Sequence, residues 1–116
     1  MAYSINHTEF RQELASCLSS YFNLNVKDTS KLLSDLLLCL EAEALILERY
    51  SLAPNDQNYI FAIDSISHVA VRLKSDMLLD QAETLRTTTE SSQISRDEAV
   101  SNFLALVQAL RSINLQ

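Results

Sequence analysis

The amino-acid sequence predicts an all-α domain, and within that class an antiparallel four-helix bundle with two long central helices. Three observations carry this expectation. The 116 residues include no glycine and a single proline, so the tight primed turns that join β-strands lack the residue they most need. Apolar residues make up 47% of the chain, enough to bury a core in one domain spanning residues 1–116. Apolar positions also recur at three- and four-residue intervals in four separate stretches, the period of a half-buried helix.

The first helix opens near Asn6, which has Glu9 three residues on, a capping-box spacing with Asn in place of Ser or Thr. Its apolar face is Phe10, Leu14, Cys17, Leu18 and Tyr21. A polar linker, "NLNVKDTS", offers Asp28, Thr29 and Ser30 as caps for the next helix. That second helix is expected from about Thr29 to Tyr50, with Leu32, Leu33, Leu36, Leu37, Leu40, Ala44 and Leu47 inward. It stops at "SLAPND", because Pro54 cannot continue a helix interior and pushes its predecessor out of the helical region.

The third helix reads from Asn55 or Asp56 to about Arg86, with Tyr59, Ile63, Ile66, Ala70, Leu73 and Met77 inward. Unbroken, it would be roughly 45 Å long and would overhang the second helix or bend near Ser75. The stretch "TTTESSQ" follows as a loop. Ser95 and Glu98 then form a second capping box ahead of a helix whose face is Ala99, Val100, Phe103, Leu106, Val107, Leu110 and Ile113.

The formal charge of −6, with basic residues scattered singly, excludes the basic patch that nucleic-acid binding requires. It also disfavours anionic membranes. The sequence opens without the basic and apolar regions of a secretory signal, and no apolar run approaches a membrane span. A cytoplasmic protein is expected. Cys17 and Cys39 both fall on apolar helix faces and are expected to be buried, reduced thiols; they lack metal-site spacing.

Two helices carry more apolar surface than one face accounts for. On the second, the main stripe spans about 140° of the wheel, and Leu38 and Leu45 lie outside it, seven residues apart. On the third, Ile60, Val71, Leu78 and Leu85 form a stripe about 100° from the main face. Such stripes either mark central helices with two neighbours or a contact with another chain. Leu38, Leu45, Leu78, Leu85 and Phe61 are therefore the candidate partner-binding residues, and a homodimer is expected. Glu41 points to the polar side of its helix, whereas Glu43 lies at the edge of the main stripe and needs a cation, a proton or an outward path.

The residues offer little for catalysis. Glu41 and Glu43 diverge by about 160° and cannot share a substrate. No Glu-x-x-His occurs, so the metal site typical of helical bundles cannot be assembled. No cofactor is expected. His68 is the residue best placed for chemistry, on the polar side of the third helix with Asp64 and Arg72 one turn to either side. A solvent-facing helical histidine in a bundle of this size resembles the histidine phosphotransfer domains, which implies a phosphoacceptor role for His68. Those domains follow the histidine with lysine and small residues; here Val69 and Val71 stand instead.

The functional expectation is a non-enzymatic protein-binding module, of inhibitor, immunity or chaperone type, presenting an acidic and apolar helical surface to a basic protein. The alternatives are a phosphorelay module using His68 and a structural subunit of a larger helical assembly.

Overall fold

The computed structural model describes residues 6–112. The described residues form five helices and no strand: α1 (His7–Phe22), α2 (Val26–Arg49), α3 (Gln57–Leu73), α4 (Asp76–Thr87) and α5 (Gln93–Ser112). The all-α class is as expected; the number of helices is not.

Local capping sets most of the boundaries. The Asn6 side chain accepts the Glu9 N–H at 3.0 Å and starts α1 where expected. Asn25, not a later residue, caps α2 by accepting the Asp28 N–H at 2.8 Å, so this helix begins at Val26. The turn around Pro54 closes through Ala53 N–H to the Tyr50 carbonyl and Asp56 N–H to the Ala53 carbonyl, and the Asp56 carboxylate then caps α3. Ser92 accepts the Ser95 N–H at 3.2 Å and opens α5 at Gln93, ahead of the expected Ser95.

The long third helix divides at Lys74. Lys74 adopts a left-handed conformation (φ 60°, ψ 38°) after Leu73, and Ser75 immediately caps α4 through its hydroxyl to the Leu78 N–H at 3.1 Å. Because α4 turns back, Arg86 near its end reaches Asp64 at 3.2 Å and the Ser67 hydroxyl at 2.9 Å in the middle of α3. Of the two outcomes expected of so long a helix, the overhang does not arise and the change of direction near Ser75 does. The same turn carries Leu78 and Leu85, expected at a partner contact, into the chain's own core, each 1% exposed. They lay on a secondary stripe only while the helix was read as continuous.

The core runs through all five helices. α2 packs on α1, α3 and α5, α4 fills the space beside α3 and α5, and α1 lies across α2, α5 and α3. The inward faces of α2 and α5 largely match their periodicity, with Leu33, Leu37, Leu40, Ala44 and Leu47 meeting Val100, Phe103, Leu106, Val107 and Leu110. Ile113, expected on the same face, lies outside the described residues. The radius of gyration, 14.1 Å, is close to the roughly 13 Å of a compact chain of this length.

Two buried arginines tie helices to chain junctions. Arg96 of α5 donates to the carbonyls of Ser51, Thr89 and Ser91, joining the loops before α3 and after α4. Arg11 of α1 donates to the Leu110 carbonyl in the last described turn of α5. Burial lowers the Arg11 pKa. Near Arg96, the Tyr59 hydroxyl is buried with no partner among the described residues. Burial pushes its phenol pKa up; Arg96 pulls it down and Asp97 adds to the rise.

Candidate protein-binding groove

The covered and uncovered sides of α2 differ by rotation about its axis. Leu33, Leu37, Leu40, Ala44 and Leu47 are buried, whereas Leu32, Leu36 and Ile46 are only half covered and Cys39 is exposed. Cys39 therefore departs from the buried thiol expected of it. It projects about 110° from the centre of the buried face, beyond the reach of α1 and α5. On α3 the corresponding side carries Ser65, Val69 and Arg72, with Phe61 one turn before Ser65.

Between these two helices runs an open apolar groove. Its wider end, a hollow of about 360 Å³, is lined by Leu32, Asp35, Leu36 and Cys39 of α2, Val69, Arg72 and Leu73 of α3, and Leu18, Tyr21 and Phe22 of α1. A second hollow of about 280 Å³ shares Leu36, Cys39 and Val69 with the first and continues to Leu40, Ala42, Glu43, Ser65 and Ile66. The two adjoin through these shared residues as one channel, with Asp35 and Arg72 on opposite helices at the first hollow and Glu43 and Ser65 on opposite helices at the second. At the wide end Tyr21 and Phe22 are half exposed and pack edge to face at 4.8 Å. Tyr21, expected in the core, stands instead at the mouth of the groove.

The charges along the groove are arranged by helix. The α2 lip carries Asp35 and Glu43, and the α3 lip carries Arg72, yet no ion pair among the described residues joins any of them. Of the two glutamates, Glu41 departs from the role expected of it and Glu43 keeps its place at the edge of the main stripe. Glu41, assigned to the polar side, is 18% exposed and held by Arg111 of α5, because α5 packs on that flank of α2. Glu43 lies half buried in the groove wall.

The remaining candidates are dispersed. Leu38 and Leu45 are exposed at 46% and 48%, on a flank of α2 separate from the groove. Phe61 is 60% exposed on the groove side of α3. His68 is exposed in a shallow hollow with Asp64, Ser67, Val71, Arg72 and Arg86, although Arg86 is already engaged by Asp64 and Ser67. Cys17 is half buried; burial pushes its thiol up, and the carboxylates of Glu13 and Asp76 add to this. Among the described residues no three His, Cys, Asp or Glu side chains gather as metal ligands. No described helix is long and apolar enough to cross a membrane.

Sequence reasoning missed the groove because Leu32 and Leu36 belong to the same wide stripe as Leu33 and Leu37. The usable signal was the width itself. A stripe of about 140° exceeds the roughly 100° that a core-facing helix typically presents, and its surplus edge is the α2 lip. The chain matches no protein-family model, no curated protein and no solved structure.

Proposed function

We propose that this chain is a non-enzymatic protein-binding module whose working surface is the α2–α3 groove. The observation that carries the reading is the uncovered channel from Tyr21 and Phe22 through Leu36, Cys39 and Val69 to Glu43 and Ser65. A concave apolar strip between two helices is the shape that takes an apolar helix face, and half-exposed aromatic side chains at its mouth are the residue type that anchors interfaces. Among partners of other sequence, the charge of −6 favours a basic protein. An inhibitor, immunity or chaperone-type role in the cytoplasm is the reading that fits such a module.

The test compares tagged wild-type protein with Cys39→Arg, a substitution at an exposed groove position that leaves the core untouched. Quantitative mass spectrometry of proteins co-purified from the native host should show a partner captured by wild type, released by salt and lost from the variant. An identical set captured by both proteins would remove the groove from consideration.

A second reading has one observation in its favour. Arg72 and Arg86 stand in the same hollow as His68, where guanidinium groups would favour a phosphoryl group. Acid-labile phosphate on His68, lost in His68→Gln, would support a relay module; its absence under phosphotransfer conditions would sink it.

A further inference from the structure

The α2–α3 groove is complementary in charge to itself, and we propose that its occupant is a second copy of this chain, related by a two-fold axis running along the groove. The inference rests on the groove being a protein-binding surface. Asp35 and Arg72 line the same hollow from opposite helices. A rotation of 180° about an axis parallel to the groove brings the α2 lip of one copy over the α3 lip of the other without changing level. Asp35 of each copy then faces Arg72 of the other, and the pair forms twice, as an isologous contact requires. Glu43 by the same operation meets the level of Ser65 in the second copy.

Both members of the pair are exposed and take no ion pair among the described residues. Nothing within the chain needs to be broken for them to engage another copy. The apolar floor follows the same rule. Cys39 and Val69 line both hollows from opposite helices, so the same rotation sets Cys39 of each copy over Val69 of the other, an apolar contact made twice. The Tyr21–Phe22 pairs would close the wide end. A net charge of −6 on each copy opposes association at long range, but the Asp35–Arg72 pairs supply opposite charges at the contact itself, where like charges would otherwise fix a different register.

Charge reversal separates this arrangement from a general stickiness of the groove. Sedimentation equilibrium should find a dimer at about 100 µM, above the micromolar limit of weak interfaces. Asp35→Arg alone and Arg72→Glu alone should each weaken the dimer at least about tenfold, since either places like charges opposite one another twice. The double variant, Asp35→Arg with Arg72→Glu, should return it to near the wild-type strength. A wild-type monomer at that concentration overturns the proposal, as does a dimer indifferent to both single reversals. Circular dichroism of each variant establishes that the fold is intact. If the self-association fails while Cys39→Arg still loses a different captured protein, the groove remains a binding surface and only its occupant changes.

Discussion

The junction between α1 and α2 and the junction between α3 and α4 share one plan and are held by different means. Each begins with a helix that ends in a left-handed residue, Asn23 (φ 55°) or Lys74 (φ 60°). In each, the following N–H reaches back five residues, Leu24 to the Ser19 carbonyl at 3.0 Å and Ser75 to the Ala70 carbonyl at 3.1 Å. This is the hydrogen-bond pattern that glycine usually completes, and the chain has no glycine. In each, a polar side chain then caps the next helix, Asn25 for α2 and Ser75 for α4.

The difference lies in where the stabilisation comes from. Asparagine tolerates the left-handed region because its short side chain bonds locally, and Asn25 is exposed, so the first junction is a local affair. Lysine has no such tolerance, and the second junction is secured from α1 instead. The Glu13 carboxylate accepts from both the Ser75 hydroxyl and the Met77 N–H, placing a negative charge at the start of α4. The Cys17 thiol approaches the Lys74 carbonyl at 3.9 Å. One junction is written into neighbouring residues; the other depends on contacts 57 to 64 positions away in the chain.

The largest effect should come from removing the caps. Ser75→Ala takes away the acceptor for a buried N–H and the donor to Glu13 together, and should cost about 2 kcal/mol, the upper end for an N-cap. Asn25→Ala exposes the Asp28 N–H to water, which replaces the lost bond, and should cost about 0.5–1 kcal/mol. Denaturant midpoints with unchanged slopes measure both. Equal losses would mean that the contact with Glu13 contributes nothing.

This contrast also explains what could be read from the sequence. Asn6 with Glu9, and Pro54 with the polar residues around it, act on their immediate neighbours, and the helix boundaries they imply are close to those observed. The inward faces of α2 and α5 followed from periodicity because both sit centrally against several neighbours. Helix length alone pointed to a bend near Ser75, but a full break into two helices was not legible: "RLKSD" contains neither glycine nor proline, and Glu13 supplies its support only after the chain has folded. Leu78 and Leu85 were misplaced by the same omission. The groove failed differently. Helical phase puts Leu36 and Leu37 on one broad stripe, but only tertiary packing decides that Leu37 is covered by neighbouring helices while Leu36 is left at an edge.

Glycine substitution sharpens the comparison on a smaller scale. At Lys74 the left-handed conformation strains a side chain that glycine lacks, so Lys74→Gly should stabilise the protein by about 0.5–1 kcal/mol after the added entropy of the unfolded chain is subtracted. At Asn23 the strain is already relieved, and Asn23→Gly should stay within about 0.3 kcal/mol of wild type. Thermal or chemical melting would resolve the two. A Lys74→Gly protein no more stable than Asn23→Gly would show that the packing around α1 has absorbed the backbone strain.

The smallest effect is confined to alkaline conditions, and it belongs to the second junction alone. Burial pushes the Cys17 thiol up, and Glu13 and Asp76, the carboxylates around the start of α4, push it further. The folded chain thus holds this proton more tightly than the unfolded one. Its contribution to stability is fully present below the thiol's unfolded value of about 8.5 and is lost as pH rises through the folded value. Wild-type protein should therefore lose stability more steeply than Cys17→Ala as pH rises above about 8.5. The two proteins should differ in slope and not merely in level, because Cys17→Ala also removes a packed side chain at every pH. Stability curves that run parallel through this range would mean that the Cys17 proton is not coupled to the junction between α3 and α4.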